Sequence, residues 1–210
     1  MIFTATVMEY IPTNAYFYID DETKHGFLID PGAQAKELLK LIREKDLTIE
    51  KILLTHGHAD HIGAVNELQK ALDVSVIMGE HGRDYSENPV WNLSTEFGKP
   101  ICLENVTYMT EGSRIALKGK PDFFVTVINA PGHTTDGVLY YSEKDSVAFV
   151  GDTIFKASFG RTDMYGGDYQ TLMQTIREKV LTLPDDTILL SGHSEPTSVA
   201  EEKGNSYYSD

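Results

Sequence analysis

The chain has 210 residues, 41% of them hydrophobic, and a formal net charge of −14. That length and composition suit one globular core, so a single domain over 1–210 is expected, and the negative field excludes nucleic acid and anionic membrane surfaces as main partners. The N-terminus lacks a basic, apolar and small-residue export pattern, and no apolar run approaches about twenty residues, so the expected setting is cytoplasmic, away from membranes.

In chain order, Ile2 to Glu9, Asn14 to Asp20 and Gly26 to Asp30 read as strands of an antiparallel sheet, with turns at Pro12-Thr13-Asn14 and Asp21 to Lys24. Leu38, Leu39, Leu41 and Ile42 fall at helical spacing within Ala33 to Lys45, and Lys51 to Leu54 is a buried-strand run. Ile62, Val65, Leu68 and Leu72 share one face of a second helix, followed by a strand at Val74 to Ile77. The stretch 79–100 reads as a helix plus a loop. A second, antiparallel run of strands is expected at Ile101 to Met109, Arg114 to Leu117, Phe123 to Ala130, Val138 to Ser142 and Ser146 to Val150. A helix over Tyr169 to Val180, a strand over Thr187 to Leu190 and a helix over Ser198 to Lys203 close the chain. Two runs of strands with helices at intervals predict an α/β fold, a four-layer αββα sandwich. The single cysteine, Cys102, cannot form an internal disulfide and is expected to be a small buried apolar residue between Ile101 and Leu103.

Chemistry is concentrated in Thr55-His56-Gly57-His58-Ala59-Asp60-His61, at the turn between a strand and a helix. Three imidazoles and a carboxylate this close repel one another when protonated, and a cation relieves that repulsion. Three further donors follow strands beside a glycine that lets the backbone turn: His133 after Gly132, Asp152 after Gly151 and His193 after Gly192. Together these are enough for two metals sharing a carboxylate.

With these residues in place the chain resembles the metallo-β-lactamase-fold hydrolases, and within them the short glyoxalase II-like proteins. The resemblance runs nearly end to end. Beyond the His-x-His-x-Asp-His motif it includes Asp30-Pro31-Gly32, Pro131-Gly132-His133-Thr134, Gly151-Asp152, Phe159-Gly160-Arg161-Thr162-Asp163 and Gly192-His193. It implies that His56, His58 and His133 hold one divalent metal, that Asp60, His61 and His193 hold the other, and that Asp152 bridges them. Zinc is the expected metal, with iron and manganese as alternatives. Two such cations bring the pKa of a shared water towards neutrality and polarise a carbonyl, which points to hydrolysis. Asp60 is the expected catalytic residue, orienting the attacking water, and Asp30 is expected to accept the second N–H of a ligating histidine.

A thiolate leaves a tetrahedral intermediate without a proton donor, an amine or alkoxide far less readily, and no donor is evident in the motifs. That favours a small-molecule thioester, in accord with the hydroxyacylglutathione substrates of the glyoxalase II family. The full-length enzymes of that family carry a C-terminal helical region that helps bind glutathione, which the residues after His193 are not expected to supply. After His133 the usual Thr-Pro-Gly-Ser becomes Thr134-Thr135-Asp136-Gly137, which adds a carboxylate near the ligand loop; an acidic pocket lined by Asp136 would point to a neutral or cationic substrate portion. Lys156 is the candidate contact for an anionic substrate, and Arg161 with Asp163 a structural ion pair. The rival readings are an iron persulfide dioxygenase of the same fold, a β-lactamase or lactonase, and a metal-binding protein without catalysis. Structural zinc sites are closed by four protein ligands, and the open positions expected here oppose the last.

Overall fold

The computed structural model describes residues 1–208. The first sheet is built from β1 (Ile2–Met8), β2 (Pro12–Ile19), β3 (His25–Ile29), β4 (Thr48–Leu53), β5 (Ser75–Gly79) and β6 (Val106–Met109), in that spatial order. Its first three strands pair antiparallel and the rest parallel, β3 to β4 to β5 to β6. Helix α1 (Ala35–Glu44) crosses from β3 to β4. The short α2 (Ala59–Ile62) and α3 (Val65–Leu72) cross to β5, and α4 (Arg83–Ser86) opens the segment before β6.

The second sheet contains β7 (Arg114–Ala116), β8 (Phe124–Asn129), β9 (Val138–Ser142) and β10 (Val147–Gly151). A small separate hairpin follows, β11 (Ile154–Phe155) with β12 (Ser158–Phe159). Then α5 (Tyr169–Thr175), β13 (Ile188–Ser191), β14 (Thr197–Ser198) and α6 (Val199–Lys203) complete the layer, with strand order β14-β13-β10-β9-β8-β7.

Strict alternation along the strands decides which side chain enters which layer. Tyr16, Tyr18, Phe27, Ile29, Leu53 and Ile77 of the first sheet meet Val125, Val127, Tyr140, Val147, Phe149 and Leu190 of the second in one buried cluster. The opposite faces carry Phe17, Leu28, Ile52 and Val76 under α1 and α3, and Leu139, Ala148, Val150 and Leu189 under α5 and α6. Three apolar interfaces therefore separate four layers, helix, sheet, sheet, helix, as the pattern predicts. No helix among the described residues is long and apolar enough to cross a membrane.

Four expectations are corrected. The strand at the start of the second run, now β6, pairs parallel with β5 and so belongs to the first sheet. Pairing begins only at Val106; Ile101 and Leu103 turn inward onto the α1–α3 core, so Cys102 between them points outward and is exposed rather than buried. The helix expected over 62–72 is broken, because the Ala64 amide bonds to the Pro31 carbonyl at 3.0 Å instead of continuing the helical ladder. The last turn of the helix expected over 169–180 widens into a π-helical turn at Ile176–Val180.

Candidate metal centre

The candidate donors lie where strand ends of both sheets converge. After β4 the chain turns sharply: the Thr55 amide and hydroxyl donate to the two oxygens of Asp30, at 2.8 and 2.6 Å. From the second sheet the Val138 amide donates to the Thr55 carbonyl at 2.8 Å, and the Tyr140 hydroxyl to the Leu54 carbonyl at 2.8 Å. The His56–His61 segment is thus pinned from two layers before any ion is considered. On the other side, Asn14 Nδ2 donates to the Ser191 and Ser194 carbonyls, and Tyr16 Oη to the Ser191 carbonyl, holding the loop that carries His193 against the first sheet.

Three donor groups result, each with its atoms within 4.8 Å of one another: His56, His58 and His133; Asp60, His61 and His193; and His56, His61 and Asp152. The first two are the sets implied by the resemblance. Asp152 lies between them, with Oδ1 3.4 Å from His61 Nε2 and Oδ2 3.2 Å from His193 Nε2 and 3.7 Å from His133 Nε2. Asp60 Oδ2 is 3.1 Å from His193 Nε2 and 3.4 Å from the Thr13 hydroxyl, a neighbour with no sequence signal.

Most rings have their outward nitrogen occupied. His61 Nδ1 faces Asp30 Oδ2 at 3.0 Å, His133 Nδ1 the Arg161 carbonyl at 2.6 Å, His193 Nδ1 the Pro12 carbonyl at 2.7 Å and His56 Nδ1 the Thr55 hydroxyl at 3.2 Å. This leaves their Nε2 atoms aimed at the centre, the arrangement in which an acceptor behind a ligating imidazole fixes its tautomer and orientation. Asp30 is the carboxylate behind the His61 ring.

The inward atoms fit a cation. His56 Nε2 and His133 Nε2 approach His58 Nδ1 to 3.1 and 3.0 Å, nitrogen against nitrogen, and buried Asp152 Oδ1 has no hydrogen-bond partner. Burial holds His56 well below the usual imidazole range and pushes His58 down to about 3, so both are neutral lone-pair donors at pH 7. At His193 burial works the same way but is outweighed by hydrogen bonds to Asp152 and Asp60, which push it up to about 10. His61 is raised well above its ordinary value because Asp152, Asp60 and Asp30 overcome its burial. A cation entering the second group therefore displaces protons, and metal binding there is expected to weaken as pH falls.

Two other predicted contacts, Asp136 and Lys156, are placed differently, and a third, Arg161, as expected. Asp136 does not line an open pocket; it is 2% exposed, behind the Gly57 backbone, and neither carboxylate oxygen has a partner. Burial pushes its carboxyl up to about 7. Lys156 is exposed and its Nζ sits 3.2 Å from Glu195, so its charge is already answered. Arg161 grips Asp163 with two bonds, at 2.6 and 2.7 Å, as the ion-pair reading expects.

Gly192 shows how tightly the centre is packed. A Cβ there would lie 2.6 Å from His61 Cε1 and well inside contact distance of Asp152 Oδ1. Gly192→Ala is expected to lower bound metal at least ten-fold in affinity while the far-ultraviolet circular dichroism stays that of the parent, since the collision falls on donor side chains rather than on a sheet. Unchanged metal titration would contradict this packing.

A family model of the metallo-beta-lactamase superfamily matches residues 9–193. The chain is 36% identical over 204 residues to hydroxyacylglutathione hydrolase GloC of Haemophilus influenzae, covering 93% of this chain and 94% of that protein. Among solved structures it superposes on the BLEG-1 B3 metallo-beta-lactamase with a TM-score of 0.92, at 34% identity over the whole of both chains. On TTHA1623 in a di-iron-bound form the TM-score is 0.86, at 31% identity over 98% of this chain and 99% of the other. The chain belongs to the metallo-beta-lactamase superfamily and is a metal-dependent hydrolase of that superfamily.

Proposed function

We propose that the protein is a thioester hydrolase of the glyoxalase II type, cleaving hydroxyacyl thioesters such as S-lactoylglutathione in the cytoplasm. The observation that carries the reading is the convergence of His56, His58 and His133 beside Asp60, His61 and His193, with Asp152 between them. These residues would hold two divalent metals, zinc in the first instance; iron is kept as an alternative by the similarity to a protein solved in a di-iron-bound form. When bound, such metals activate water and polarise a carbonyl oxygen.

The chain's own residues supply the rest. Asp60 Oδ2, which lies 3.1 Å from His193 Nε2 and 3.4 Å from the Thr13 hydroxyl, would orient the attacking water through a hydrogen bond. Asp30, the Arg161 carbonyl and the Pro12 carbonyl keep three imidazoles in one orientation. A thiolate departs unprotonated, so the absence of an acid in the motifs costs a thioester little. The likeness to a hydroxyacylglutathione hydrolase supports the same substrate class. An exposed free thiol at Cys102 suits a reducing compartment.

Metal content of the purified protein, followed by turnover of S-lactoylglutathione, nitrocefin and glutathione persulfide with oxygen uptake recorded, tests the proposal. Two metals per chain and thioester cleavage are expected, abolished by chelation and restored by zinc. Iron with oxygen consumption on the persulfide would replace the proposal by a dioxygenase, and nitrocefin turnover alone by a lactamase.

A further inference from the structure

Beyond His58 the wall of the site is aromatic. The buried Tyr85 ring lies 6.1 Å from His58, Trp91 meets Tyr85 edge-on at 5.5 Å, and Tyr165 stacks on Trp91 at 5.9 Å with the planes 21° apart. The Tyr85 hydroxyl donates to the Tyr165 carbonyl at 2.8 Å and stands 3.2 Å from the Thr135 amide, two residues beyond His133. Gly166, at φ 74°, lets the chain pass over that hydroxyl where a side chain would collide with it. Both ends of the Tyr165 loop are tied to the His133 turn, through His133 Nδ1 to the Arg161 carbonyl and the Asp168 amide to the Gly132 carbonyl.

Despite this support the outer rings are left open. Tyr165 is 48% exposed and Trp91 is half-buried. Two stacked aromatic side chains open to water offer π-faces and apolar area to a flat ring. Arg161 and Lys156 each carry a surface carboxylate partner, Asp163 and Glu195. The wall rewards an apolar ring more than a second negative charge.

We infer that the site selects thioesters bearing a planar aryl group, on the acyl or the thiol side, which packs against Trp91 and Tyr165. This rests on the thioester reading above. S-mandeloylglutathione carries a phenyl ring where S-lactoylglutathione has a methyl group, and the S-lactoyl ester of benzyl mercaptan carries the ring on the thiol. At least one aryl ester is expected to exceed S-lactoylglutathione ten-fold in kcat/KM, and which one identifies the side. Tyr165→Ala is expected to bring that ratio close to one through KM, and Tyr165→Phe to keep it.

Trp91 is the single tryptophan of the chain, so its fluorescence reports binding without turnover. Non-hydrolysable S-benzylglutathione is expected to quench it in the metal-loaded protein, S-methylglutathione not, and Tyr165→Ala to weaken the quench ten-fold. Quenching without cleavage of any thioester would remove the hydrolase reading and leave the platform standing. Cleavage with no aryl preference and no selective quench, or a ratio indifferent to Tyr165→Ala, would overturn the platform and leave the hydrolase.

Discussion

Asp152→Asn is expected to lower kcat/KM for a thioester by on the order of 10³-fold, about 4 kcal/mol of transition-state stabilisation, and to leave fewer than two metals bound per chain. The Asp152 carboxylate stands between His61, His133 and His193, at 3.2–3.7 Å from each, and its own pKa lies well below the usual range because His61 and His193 outweigh its burial. An amide of the same size keeps the packing but removes the charge that both donor groups share. It also directs N–H towards nitrogens that must present lone pairs. Metal analysis beside steady-state kinetics checks this, with circular dichroism as the control for folding. Two tightly held metals with ordinary turnover would refute the bridging role.

The second large effect concerns Asp136, and it is an effect on stability. Its carboxyl ionises near 3.8 in an unfolded chain and is pushed up to about 7 by burial in the fold. Between those values the folded protein keeps a proton that the unfolded chain gives up, so rising pH favours unfolding. The contribution is fully present below pH 3.8 and is lost as pH climbs through 7. A carboxyl raised from 3.8 to about 7 contributes about 4 kcal/mol at most. Asp136→Asn cannot titrate, so relative to the parent it is expected to gain roughly 2–4 kcal/mol between pH 4.5 and pH 8. Urea denaturation of the zinc-saturated proteins at both pH values measures the difference, and a difference independent of pH would show that Asp136 holds no proton in the fold.

How much of this was legible in the sequence follows from what each feature depends on. Alternation placed Tyr16, Tyr18, Phe27 and Phe149 on inward faces because a strand's side chains have a fixed period, whatever lies opposite. The candidate donors were visible because imidazoles and carboxylates beside glycines at strand ends are local patterns, and the structure brings those seven side chains together. What escaped depends on contacts between distant segments. The parallel pairing of β6 is decided by β5, some thirty residues earlier, and no periodicity within Val106–Met109 carries it. Asp136 read as a pocket carboxylate because acidic residues are rarely buried without a partner, and its inward turn follows from Val138 pairing with Thr55. The β11–β12 hairpin has two residues per strand, too few for any pattern to register. Tyr85, Trp91 and Tyr165 are spread over eighty positions, so their meeting is a property of the fold alone.

Four of the seven candidate donors follow a strand of one sheet and three follow strands of the other. An ion held by His56, His58 and His133 would therefore clamp the two halves of the sandwich at one end, in the manner of a cross-link that forms only in the folded chain. Binding that exists only in the folded state adds RT ln(1 + [L]/Kd) to its stability, about 2.7 kcal/mol for each ion supplied at a hundred times its dissociation constant. Metal supply then governs how many molecules stay folded and escape proteolysis, as well as how fast each one works.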